Sequence, residues 1–251
     1  MRRYLILFFS ICCFNIASAQ YCPPLSGKLG EYNSFHVTAG YGITKMYGDV
    51  GNNSALGSAG TIQVDYQFIR GLYVGLESQF GSLKTEVKSN ADPRQSQNNY
   101  LAGGVVLTAH PFALLSNKKF IHRRLVDDIV ESIFVGVGAL YVINNYDYVY
   151  RNITDLSSYG PIDSFDENDD PIFKTRTRSL ILPSLNVGSV IPLNQNSLSR
   201  SNMLSLVLKA QLNFGQNDVL DAYTPYGSNG RVVEAADDVY NFYSLGLRYS
   251  F

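Results

Sequence analysis

Asp65, Glu77, Lys209 and Arg248 each fall on the small or polar side of a stretch whose other side is apolar. Two acids and two bases facing one enclosed interior point to mutual neutralisation, because an unpaired charge out of water is costly. A single network of this kind predicts that Arg248→Ala destabilises the fold and that Glu77→Gln recovers part of the loss. The same four residues could instead line a proton or ion path. His36, His110 and His122 have neither metal-ligand spacing nor a sequence pattern that reads as a Ser/His pair. No catalytic residue, metal or other cofactor is therefore expected.

Two further clusters carry charge. Asp166-Glu167-Asn168-Asp169-Asp170 begins like a calcium loop, but Pro171 stands at the sixth position, where glycine is needed, and Thr177 at the twelfth, where glutamate closes the shell. A solvated acidic loop is the expectation. Lys118, Lys119, Arg123 and Arg124 crowd one connection, His110 to Glu131, in which Ile121, Leu125 and Ile129 recur at helical spacing. A short amphipathic helix folded over a barrel mouth is one reading, and a dock for an acidic periplasmic partner is the other. Gly136-Val137-Gly138 lies inside a strand pattern rather than between strand and helix, so it reads as small interior residues and not as a dinucleotide cradle.

The elements that must position these groups are alternating strands. In the last of them Tyr249, Leu247, Leu245 and Tyr243 share one face, while Arg248, Gly246 and Ser244 share the other. An apolar face backed by a small one suits a transmembrane barrel, with lipid outside and a narrow interior. Ser244, Gly246, Tyr249 and Phe251 resemble the C-terminal targeting signal of bacterial outer-membrane barrels, which implies recognition by the barrel-assembly machinery.

The same alternation recurs upstream. Phe35 to Thr44, Gly60 to Phe68 and Leu72 to Phe80 read as the first three strands, with Ile69-Arg70-Gly71 a tight turn between the second and third. Tyr100 to Ala109 is the fourth, and Ile133 to Tyr141 the fifth. The sixth holds Ile181, Leu185, Val187 and Ile191. Leu204 to Phe214 is the seventh, with Leu206, Leu208 and Leu212 outward against Ser205, Lys209 and Gln211. Ser82 to Gln97 and Asn144 to Arg178 read as loops, the latter the longest irregular stretch. The expectation is an all-β, eight-stranded antiparallel transmembrane barrel over residues 34–251, its strands about ten residues long. Connections after the first, third, fifth and seventh strands are long and polar and would face outside; those after the second and sixth are shorter and periplasmic, and the one after the fourth is longer than that pattern requires. An interior of this size is filled by side chains, so an open pore is not expected.

Composition agrees with this class: Tyr 18, Phe 14 and Gly 21 against 16% charged residues. A net charge of -1 excludes the basic surface a nucleic-acid binder needs. After the amino-terminus no run approaches the ~18 apolar residues of a spanning helix, and only a closed barrel satisfies every backbone group in lipid. Arg2-Arg3, the apolar run Tyr4 to Phe14 and Ala17-Ser18-Ala19 form a signal peptide over 1–19, followed by a periplasmic leader over 20–33. Cleavage there leaves Cys22 as the only cysteine, so no intramolecular disulfide forms. The residue before it is not small, which argues against lipidation.

Tyr47-Gly48-Asp49-Val50 and Asp218-Val219-Leu220-Asp221-Ala222-Tyr223, with the Tyr-rich last strand, are similar to small outer-membrane barrels of Bacteroidota, including the barrel component of the type IX secretion and gliding apparatus. That resemblance implies a non-enzymatic integral protein of the outer membrane, in contact with its lipid, anchoring periplasmic secretion components. The alternatives are a stand-alone surface barrel whose long loops bind ligands or protect the envelope, and a barrel enzyme that modifies lipid A.

Overall fold

Alternation of apolar and polar residues, enriched in Tyr, Val, Leu and Thr, drives each strand of the fold. The computed structural model describes residues 34–48, 55–87, 93–115, 129–152, 154–167, 170–193, 203–217, 219–224, 226, 232 and 237–251. The expected signal peptide, the leader with Cys22, His122 and the cluster of Lys118, Lys119, Arg123 and Arg124 lie outside the described residues. The strands are β1 (Phe35–Tyr47), β2 (Leu56–Ile69), β3 (Leu72–Thr85), β4 (Ser96–Ala109), β5 (Ile133–Val149), β8 (Arg176–Pro192), β9 (Met203–Gly215) and β10 (Val239–Ser250), with a short helix α1 (Pro111–Leu115) after β4. Between β5 and β8 a small hairpin pairs β6 (Ile162–Phe165) with β7 (Pro171–Phe173).

The eight long strands close in the order β1-β10-β9-β8-β5-β4-β3-β2, every pair antiparallel. Closure is made by β1 and β10, where Gly40 faces Gly246 and Ala39 faces Leu247. The seam ends in reciprocal backbone bonds, Phe251 N–H to Phe35 O at 3.0 Å and Phe35 N–H to Phe251 O at 3.3 Å. Gly71 turns β2 into β3 at a φ of 78°, a left-handed conformation a side chain would strain.

Burial is inverted relative to a water-soluble protein. Leu76 is 66% and Tyr41 65% exposed, and most outward positions carry Leu, Val, Ile, Phe or Tyr. Gln79, Asn144 and Asn213, in contrast, are fully buried. An apolar wall of this extent is stable only against lipid, and a closed ladder leaves no unpaired edge to face the hydrocarbon. The chain is an integral barrel of outer-membrane type.

Two sequence expectations are corrected, and one strand departs from simple alternation. The strands run from 12 residues in β10 to 17 in β5 and β8, not about ten, because polar ends that read as loops pair with each other beyond the hydrocarbon layer. Lys84 faces Gln97, and Asn145 faces Arg176. The stretch Asn144 to Arg178 is not irregular throughout: it contains the ends of β5 and β8 and the β6–β7 hairpin. Ile181 does not share a face with Leu185. A bulge between Ile181 and Ser184, around Pro183, shifts the parity and turns Ile181 fully inward while Leu185 and Val187 face lipid.

Candidate functional site

Inward positions of all eight strands fill the lumen in layers. At the periplasmic mouth the His36 ring lies edge-on to Tyr73 at 5.3 Å, Tyr73 meets His110 at 4.9 Å, and His110 meets Phe134 at 5.7 Å. Phe134 covers Gly188, whose missing Cβ would come within 2.4 Å of the ring. His36 Nδ1 stands 2.7 Å from Ser250 Oγ, a pairing that follows from the β1–β10 register and that sequence spacing alone does not reveal. Asp65, the carboxylate across from His36 in β2, accepts from Arg248 Nη2 at 3.0 Å and from Gln63 Nε2 at 2.8 Å.

The four candidate lumen charges all point inward and form two ion pairs. Arg248 binds Asp65 and donates from Nε to Thr38 Oγ1 at 3.0 Å, a cluster spread over the adjacent strands β10, β1 and β2. Lys209 Nζ reaches Glu77 Oε1 at 2.5 Å. β9 and β3 lie diametrically opposite in the ring, so the two paired side chains together span the lumen. Gln63 joins the pairs, donating to Asp65 and lying 3.4 Å from Lys209 Nζ through its own oxygen. The direct partner of Arg248 is therefore Asp65, and the compensation expected from Glu77→Gln moves to Asp65→Asn.

Above the ion pairs a second crossing follows. Gln79 Nε2 donates to Gln211 Oε1 and to Glu77 Oε1, both at 2.9 Å, and Gln211 continues to Ser184 at 2.6 Å. An apolar layer of Leu83, Leu140, Ile181 and Phe242, with Tyr100 and Tyr240, then closes the upper lumen. Polar groups this deep are costly unless bonded, and their mutual bonding fixes one arrangement of the barrel wall.

The extracellular mouth is capped by residues 219–223 of the β9–β10 connection. Leu220, Asp221, Ala222 and Tyr223 are all fully buried. Asn98 Nδ2 donates to Leu220 O at 2.9 Å, and Tyr146 Oη donates to Val219 O at 2.5 Å. Asp238 Oδ2 accepts the Leu220 N–H at 2.8 Å and the Asp221 N–H at 3.3 Å. Ala222 takes a φ of 74°, a conformation that a non-glycine residue holds only when its surroundings require it. The Tyr223 hydroxyl donates toward Tyr150 O at 2.8 Å and accepts the Gln95 N–H at 3.0 Å, tying together three extracellular connections. Arg151 donates to Ala222 O at 2.9 Å and Ser158 O at 3.1 Å, with its guanidinium 4.3 Å from the Phe173 ring centre. Burial holds the Arg151 pKa below its ordinary value and raises that of the Tyr223 hydroxyl. The sequence marked this stretch, within Asp218 to Tyr223, only through its resemblance to small outer-membrane barrels, and nothing in it showed a latch.

Of the expected assembly signal, Ser244 and Gly246 face the lumen and Tyr249 faces lipid, with its ring 5.5 Å from that of Phe251. In the acidic segment after β6, Asp166, Glu167 and Asp170 are exposed and Asp166 N–H bonds Asp170 O at 2.8 Å, while Asn168 and Asp169 lie outside the described residues. Among the described residues no group of three His, Cys, Asp or Glu side chains could hold a metal.

Neither a family model nor a curated protein matches the sequence. Among solved structures, neisserial surface protein A is similar at 14% identity over 86% of this chain and 97% of its own, with a TM-score of 0.42. The attachment invasion locus protein of Yersinia pestis, in complex with the heparin analogue sucrose octasulfate, shares 9% identity over 87% of this chain and 98% of its own, with a TM-score of 0.41. Pseudomonas aeruginosa OprG shares 11% over 88% and 98%, with a TM-score of 0.35. These are small outer-membrane barrels, and likeness at this level carries nothing about function.

Proposed function

We propose that this chain is a non-conducting, non-enzymatic anchor in the outer membrane that holds periplasmic components of a secretion complex of the type IX kind. The observation that carries the reading is the sealed lumen. Lys209–Glu77 and Gln79–Gln211 cross it, and residues 219–223 fill its outer mouth. A barrel so closed suits attachment better than passage. The resemblance of Tyr47-Gly48-Asp49-Val50 and Asp218 to Tyr223 to secretion-apparatus barrels supplies the partner class. Lys118, Lys119, Arg123 and Arg124 are the residues assigned to the periplasmic dock, through long-range attraction that salt weakens. Replacing all four by Ser is expected to leave the folded barrel in the membrane while reducing co-purification of periplasmic components and cargo secretion. Unchanged partners and secretion at normal barrel levels would overturn the assignment.

A second reading, a surface barrel that binds through its loops, is favoured by the β6–β7 hairpin. Its Phe165 is 62% and its Ile172 48% exposed outside the barrel wall. Deleting residues 163–170 would abolish surface binding under this reading and leave co-purification of periplasmic components intact under the first.

A further inference from the structure

We propose that Arg176 and Arg178 form a binding site for the phosphate of an outer-leaflet lipid of the lipid A class. The outward face of β8 runs from Leu182 and Leu180, both lipid-exposed, directly into Arg178 and Arg176. Two residues apart on one face, the two side chains rise about 7 Å apart along the strand. In register they stand beside Ile143 and Asn145 of β5, so the apolar wall ends at Arg178 and a polar one begins at Arg176. That boundary is where headgroups meet hydrocarbon.

The local chemistry leaves both guanidiniums donor-rich. Arg176 makes one side-chain bond, from its Nε to Asn145 Oδ1 at 3.1 Å, which leaves its terminal nitrogens available as donors. The Arg178 side chain makes no hydrogen bond or ion pair among the described residues. Lys84 on β3 also faces outward near the same edge, and Asp147 on β5, an outward carboxylate nearby, accepts from Gln97 at 3.4 Å. Paired forks of planar donors match phosphate oxygens bidentately, which ammonium groups do not. The aliphatic surface below, Leu180, Leu182 and Ile143, takes the acyl chains of the same lipid. A soluble anion would gain nothing from that surface, and it distinguishes a lipid phosphate from a free one.

The test is equilibrium binding of fluorescent bisphosphorylated lipid A to the detergent-solubilised barrel, read by anisotropy. Arg176→Gln/Arg178→Gln, folded by heat-modifiable gel mobility, is expected to bind roughly thirtyfold more weakly than wild type, two surface cations being lost. Dephosphorylated lipid A should bind wild type about as weakly. Equal binding by wild type and double variant, or by both lipids, overturns the site. Full displacement of the lipid by inorganic phosphate would show a free-anion site and overturn the lipid assignment. Should the double variant not fold, Arg178→Gln alone decides, with about fivefold weaker binding expected and unchanged binding refuting the proposal.

Discussion

Lys209→Met tests the crossing of the lumen at its centre. Lys209 spans to Glu77, which is 2% exposed and whose Oε1 also accepts from Thr61 at 3.2 Å and Gln79 at 2.9 Å. Removing the cation leaves a carboxylate that the two neutral donors satisfy only in part. Breaking a buried pair on one side typically costs about 3–5 kcal/mol, because the stranded charge is worse than no pair at all. Glu77→Gln on the Lys209→Met background removes that charge while keeping an amide for Thr61 and Gln79. At least half the loss should return, a coupling of about 2 kcal/mol between the two sites. With Trp 0 in the chain, unfolding in urea is followed by circular dichroism and by the gel shift of the folded form. Additivity of the two substitutions within about 0.5 kcal/mol would refute the reasoning, since the ion pair would then not be present.

Arg248→Ala should be partly offset by Asp65→Asn and not by Glu77→Gln alone, as read in the same urea titrations. Deleting Phe251 removes the backbone pair with Phe35 and one residue of the assembly signal, so the heat-modifiable form in outer-membrane fractions should fall sharply; wild-type levels would refute that role. Tyr223→Ala should release the extracellular cap and speed proteolysis of the outer connections of intact cells, whereas Tyr223→Phe, which loses only the hydroxyl, should have a smaller effect; equal rates in all three would show that the latch does not hold the loops. Burial lowers the His110 pKa from 6.5 to about 4. The unfolded chain therefore binds a proton that the folded one refuses between those values, and stability should fall as pH drops from about 6.5 towards 4. His110→Phe should flatten that dependence, and an unchanged slope would remove His110 as its source.

Much of this architecture was legible in the residues themselves. Alternation placed Asp65, Glu77, Lys209 and Arg248 inside and Leu206, Leu208 and Leu212 outside, because a side-chain period of two is fixed by the strand backbone. Which charge meets which was not legible. Pairing depends on strand stagger as well as strand order, and stagger is set by the whole ring of registers rather than by any one strand. Strand ends were misjudged where Asn, Gln and Ser pair beyond the hydrocarbon layer, since these residues carry no hydrophobic signal. The inward turn of Ile181 was not legible because a bulge around Pro183 resets the alternation without leaving a break in the apolar pattern. Tyr223 and Arg151 work through backbone carbonyls brought together by three connections, and long-range contacts of that kind have no local pattern.

The sealed lumen is the claim on which the functional reading rests, and planar-bilayer recording of the purified barrel tests it most directly. A bilayer containing folded protein should show no conductance steps above the lipid background in molar salt. Reproducible ohmic steps from the wild-type barrel would mean that the Lys209–Glu77 crossing and the 219–223 cap leave a path, and would contradict the account.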